Sequence, residues 1–96
     1  MLQHYVFLKY QPGTAATHVA EFKQRLLALR TTVPGIAHLE IGEDVLHDAR
    51  SWDLLLIMRF ADVESLRRYQ QHPEHLAVMA FNQPFVAAVG SVDFFA

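Results

Sequence analysis

The sequence contains no cysteine, which removes disulfides, thiolate catalysis and thiolate metal sites together. It also lacks a basic excess, since eight Lys or Arg stand against ten Asp or Glu for a formal charge of -2. Such a surface has no general field to concentrate it on phosphate backbones, and no nucleic-acid partner is expected. Long hydrophobic runs are missing as well. The short mixed run from Leu2 to Leu8 is followed at once by Lys9, without the basic segment and apolar core of a secretory signal, and no stretch is long enough to span a bilayer. The expectation is a cytoplasmic protein without a membrane partner. No repeat, low-complexity tract or linker interrupts the 96 residues, so a single domain over 1–96 is expected.

Apolar residues are what the chain has in quantity, at 52% of the sequence. A chain this short leaves much of its surface outside one core. The surplus therefore points to an oligomer interface or a cavity, and a homodimer is the commonest use of it.

The periodicities order the elements. Gln3 to Tyr10 reads as a first strand, with His4, Val6 and Leu8 on one face and Tyr5 and Phe7 on the other, closed by the turn Gln11-Pro12-Gly13. Thr14 is the expected N-cap of a helix to about Thr32, whose inward stripe is Val19, Phe22, Leu26, Leu29 and Val33, and which stops at Pro34-Gly35. Ile36 to Val45 reads as a partly exposed strand and Trp52 to Phe60 as an interior one. Asp62 caps a helix to about Gln71, with Val63, Leu66 and Tyr69 inward. Pro73 starts a further helix with a stripe of Val78, Phe81, Phe85 and Ala88, bent near Pro84 and ended by Gly90. Ser91 to Phe95 is the last strand, with Val92 and Phe94 opposite Asp93 and Phe95. The order β-α-β-β-α-β is the ferredoxin-like α+β pattern, two helices on one face of a four-stranded antiparallel sheet. Tyr5, Phe7, Leu55 and Ile57 would cover the other face by meeting the same face of a second chain, burying roughly 800 Å² per partner.

The constellation with most chemistry is YQQHPEH, which brings Tyr69, His72 and His75 to spacings of three around Pro73. His4 joins them if its strand face looks toward the helices. Phenol and imidazole exchange protons near neutrality when their surroundings tune them. Each also has a structural reading: a hydrogen bond at the helix start for His75, a satisfied core group for His4, a core aromatic for Tyr69, and for His72 the shaping of the break before Pro73. His72, His75 and His4 would make a three-imidazole metal set, but HxxH without a further ligand is unspecific and HExxH is absent. Ser51, Ser65 and Ser91 sit in no nucleophile elbow. No GxGxxG or GxxxxGK segment supports a nucleotide, so no cofactor and no metal is expected. Asp53 and Glu40 are read as strand-edge carboxylates paired with Arg50 or Arg59, Met58 and Met79 as core fillers, and Trp52 as an anchor against the sheet.

From His4-Tyr5-Val6-Phe7-Leu8-Lys9 through Val33-Pro34-Gly35 and Tyr69-x-x-His72-Pro73-x-His75 to Val92-Asp93-Phe94, the chain resembles the stress-responsive dimeric α/β-barrel (Dabb) domain family. The resemblance implies ferredoxin-like chains whose sheets pair into a dimeric barrel. A plant polyketide cyclase of that family uses a tyrosine and a histidine in an aldol condensation. Motif matching places that catalytic pair on Tyr69 and His75 and a cavity-lining strand histidine on His4. Where that cyclase has another pocket histidine, this chain reads Trp52-Asp53-Leu54-Leu55, with Leu54 nearest. The expected function is a stress-response-like domain binding a small organic ligand, or alternatively a cofactor-independent lyase, cyclase or isomerase acting on a small carbonyl compound through Tyr69 and His75. The ligand is expected between the helices and the sheet.

Overall fold

In a computed structural model describing residues 1–96, the strands Leu2–Tyr10 (β1) and Leu54–Phe60 (β3) pair antiparallel at the centre of the sheet, Leu2 opposite Phe60 and Leu8 opposite Leu54. His38–Glu43 (β2) flanks β3 and Val86–Phe95 (β4) flanks β1, giving the order β2-β3-β1-β4. Helices Ala16–Thr32 (α1), Val63–Gln71 (α2) and Pro73–Asn82 (α3) follow β1, β3 and α2 in turn, and a 3-10 turn, Gln83–Phe85, leads into β4. None of them is long and apolar enough to cross a membrane.

Side-chain alternation decides which sheet face the helices cover. Leu2, His4, Leu8 and Tyr10 of β1 and Leu54, Leu56, Met58 and Phe60 of β3 are buried. They meet Phe22, Leu26 and Leu29 of α1, Leu66 and Tyr69 of α2, and Val78 of α3 in one core. Full burial of each large apolar side chain stabilises the fold by about 1.5–3 kcal/mol. The opposite face carries Tyr5, Phe7, Leu55 and Ile57, all only half-buried, with Val92 and Phe94 of β4 exposed beside them. Tyr5 meets Phe94 edge-on at 5.4 Å and Phe7 lies 5.8 Å from Trp52, so this open face is an aromatic layer.

Several sequence expectations are corrected by the packing. Thr14 does not cap α1: its hydroxyl donates to the Gln11 carbonyl and closes the preceding turn, and Ala15 takes the cap position without a side-chain bond. Asp62 does cap α2, its Oδ1 accepting the Ser65 N–H at 2.8 Å. Val63, expected inward, is 46% exposed, while Ser65 beside Leu66 is buried. Trp52 and Asp53 precede β3, where Asp53 accepts the Tyr10 N–H through Oδ2 at 2.7 Å and Glu40 lies 3.2 Å from His38, so neither acid pairs with an arginine. Arg59 donates instead to Gln3. The largest change is β4. Gly90, expected to end a helix, lies mid-strand opposite Phe7, with the Trp52 ring 3.7 Å from where a Cβ would stand. Phe85 and Ala88 belong to the 3-10 turn and to β4, because Pro84 cannot extend the α3 hydrogen-bond ladder and the released chain pairs along β1.

Candidate functional site

Five elements converge on one end of the helix-covered sheet face. Tyr69 comes from the last turn of α2, where the spacing from Leu66 carries its ring inward to 2% exposure. The peptide then breaks at His72, whose Nδ1 accepts the Glu74 N–H at 3.1 Å and caps α3, with Pro73 in the first turn. That break places His75 against Tyr69, ring centroids 4.4 Å apart. Phe60 of β3 lies 5.4 Å from Tyr69 and 6.3 Å from His4, so its ring spans the two. His4 donates from Nδ1 to Asp93 in a short contact, across the β1–β4 ladder where the two residues are direct partners.

The hydrogen bonds fix which atoms remain free. A carbonyl only accepts, so the His75 Nδ1 held 3.0 Å from the Gln70 oxygen carries the proton and Nε2 keeps its lone pair. The Tyr69 hydroxyl has no partner within the chain, yet no buried side-chain polar atom is sealed off unsatisfied. It is therefore open to an incoming acceptor. Burial lifts the Tyr69 phenol well above the ordinary tyrosine value, keeping it a donor at neutral pH. His75 is held below the ordinary histidine value chiefly by burial, opposed by the Gln70 bond and reinforced by the nearby His4. It thus stays a neutral acceptor at pH 7.

Beside this cluster an apolar cavity lies between α3 and β4. Val6 follows His4 on the same strand face, and Met79 lies one turn beyond His75, steps of roughly 6–7 Å along strand and helix. Both line a cavity of about 150 Å³, closed by Leu56 and Val86 and opened by Val89, which is 60% exposed. A wetter hollow of about 340 Å³ near Lys9, Asp44, His47 and Asp53 lies at the β1–α1 turn.

Of the residues singled out in the sequence, Tyr69, His75 and His4 are brought together, whereas His72 caps a helix. No three His, Asp or Glu side chains gather as metal ligands. Asp93 was missed as the partner of His4: its signal was an acid on the His4-facing side of a Val92-Asp93-Phe94 strand, but only the β1–β4 register pairs them. A second polar cluster was missed too, Tyr10 and His18 converging on buried Asn82.

A four-stranded antiparallel sheet, covered by helices on one face and aromatic on the other, defines a ferredoxin-like α+β fold. The profile described as the stress responsive A/B barrel domain, Dabb, matches residues 2–96, and the chain belongs to that family. A dimeric ferredoxin-like protein of unknown function from Thermobifida fusca is similar at TM-score 0.88 and 22% identity, over 99% of this chain and 90% of that one. A Dabb family protein from Mesorhizobium loti superposes at 0.82 with 20% identity, covering 99% and 95%. Hydroxynitrile lyase from Passiflora edulis superposes at 0.87 with 14% identity, covering 99% and 92%. No curated protein matches the sequence.

Proposed function

We propose that this chain is a homodimeric small-molecule-binding domain of the cytoplasmic stress response, whose pocket between α3 and the sheet transfers protons on a small carbonyl compound without a cofactor. The observation carrying the reading is the Tyr69–His75 pair at 4.4 Å, with a partnerless phenol beside an imidazole whose Nδ1 is already engaged. His75 Nε2 takes the proton next to the carbonyl, the electron pair of that C–H bond becomes the carbon–carbon double bond of an enolate, and the carbonyl π pair moves onto oxygen. Tyr69 donates to the oxygen as its charge grows. His4, held by Asp93, orients the ligand. The enolate then either regains a proton at carbon, an isomerisation, or attacks a second carbonyl, a cyclisation or aldol step; the reverse of the latter is a lyase. Among proteins of the same fold, the one from Passiflora edulis is a hydroxynitrile lyase.

The dimer rests on the open aromatic face. Hollows of about 340 and 430 Å³ beside Phe7–Trp52 and Tyr5–Phe94 lie where a second sheet would pack, and the similar proteins from Thermobifida fusca and Bacteroides fragilis are described as dimeric. A binding dimer without turnover is the second reading, favoured by the packing of Tyr69 onto Phe60 in the core. A ligand-bound crystal structure tests the placement. A carbonyl oxygen within hydrogen-bond reach of Tyr69 and its α-carbon beside His75 Nε2 is expected. Ligand density confined to the space between two sheets would contradict it.

A further inference from the structure

Asn82, the last residue of α3, lines the cavity between α3 and β4 and is 2% exposed. Its Oδ1 is doubly engaged, accepting the Tyr10 hydroxyl at 2.7 Å and the His18 Nε2–H at 3.0 Å. His18 is itself held between Phe81 and Phe85, 4.7 and 3.9 Å away by ring centroid, so the acceptor side of the amide is locked. The Nδ2 donor has no partner in the chain and is not sealed away from space. Asn82 lines the 150 Å³ cavity, whose other walls are mostly apolar and include no charged side chain. A buried amide with one face locked and the other unpaired loses hydrogen bonding unless something with an acceptor enters.

We propose that Asn82 is the specificity anchor of the pocket, its Nδ2 donating to an uncharged oxygen at the far end of a one-ring or short-chain ketone or aldehyde whose carbonyl lies at Tyr69. This rests on the ligand-binding reading above and adds the substrate class to it. Size sets the body of the ligand, because an apolar cavity of about 150 Å³ admits roughly one benzene ring. Span sets the spacing of its polar ends: seven residues of α3 separate His75 from Asn82, on the order of 10 Å along the helix. Charge sets the acceptor. A carboxylate in this cavity would lose its hydration with no Lys or Arg to replace it, whereas an ether, hydroxyl or second carbonyl needs only the one donor.

The test is a matched pair of probes, 4-methoxyacetophenone and 4-ethylacetophenone, alike in shape and differing by one acceptor oxygen. Calorimetric titration into the wild-type protein is expected to show the methoxy ketone binding roughly three- to tenfold more tightly, the range for one net hydrogen bond. Asn82→Leu removes the donor and is expected to abolish the preference. Asn82→Asp keeps the acceptor for Tyr10 and His18, so it tests the same point where the leucine variant fails to fold. In the wild type, the Asn82 side-chain NH2 resonances are expected to shift with the methoxy ketone and not with the ethyl one. Tyr69→Phe is expected to weaken both ketones equally. Equal affinity in the wild type overturns the Asn82 anchor alone, as does a preference that survives both Asn82 substitutions. Failure of both ketones to bind at millimolar concentration overturns the ligand-binding reading with it.

Discussion

Replacing Tyr69 by phenylalanine removes one hydroxyl from a ring that is 2% exposed and makes no hydrogen bond within the chain. Because that hydroxyl reaches open space and no group of the chain depends on it, Tyr69→Phe should change stability by no more than about 0.5 kcal/mol. Tyr10→Phe is the internal control. Its ring is also buried, at 8% exposure, but its hydroxyl donates at 2.7 Å to Asn82, and burial has pushed its pKa up to about 12. Losing that bond should cost about 0.5–1.5 kcal/mol, and each kcal/mol is worth roughly 4–8 °C of Tm for a domain of this size. Urea and thermal unfolding should be compared at one protomer concentration, because dimer stability varies with it. A Tyr69→Phe variant destabilised as much as Tyr10→Phe would mean that the Tyr69 hydroxyl serves the fold, and would remove the reason for assigning it to a ligand.

At the open face, Phe7→Asp and Ile57→Asp should shift sedimentation toward monomer at micromolar concentration, since each sets an unpaired charge where a second sheet would pack; unchanged association in both would reject that face as the interface. For His75 the folded value lies below the unfolded one, so at pH under about 6.5 the unfolded chain takes up a proton that the folded chain resists. Its contribution is full above that pH and falls as pH drops toward the folded value, so wild type minus His75→Asn stability should decline on acidification in urea melts across pH 4–8. A flat difference would contradict the assigned environment. Asp93→Asn should retain the fold and slow turnover on the order of tenfold or more, because an amide no longer fixes the His4 tautomer as a carboxylate does; unchanged turnover would make the pair structural.

The parts legible in the sequence are those whose partners enforce a single period. Leu54, Leu56, Met58 and Phe60 alternate because one face of β3 is core, and Phe22, Leu26 and Leu29 recur as one helix stripe against it. Asp62 and Pro73 mark helix starts through local chemistry that needs no tertiary knowledge. The last half of β4, Ser91 to Phe95, was legible as a strand, but its first half was not, for the opposite reason. Val86-Ala87-Ala88-Val89-Gly90 has weak strand propensity and becomes a strand through pairing with β1, some eighty residues earlier in sequence, a contact no local pattern records. The site divides along the same line. Tyr69 and His75 straddle one helix break, so their proximity was readable from spacing, and His4 from its strand face. The Asp93 partner required the β1–β4 register, and the Tyr10–His18–Asn82 cluster joins three elements distant in sequence.

The central claim, that Tyr69 and His75 transfer a proton beside a carbonyl, is tested most directly by NMR of α-proton exchange on 4-methoxyacetophenone in heavy water. Wild-type protein should accelerate the loss of the methyl signal with saturable kinetics. Tyr69→Phe and His75→Asn, shown to be folded and saturated with ligand, should each lose roughly a hundredfold or more, the ordinary contribution of a positioned acid or base. Wild-type exchange rates in either variant would contradict the account.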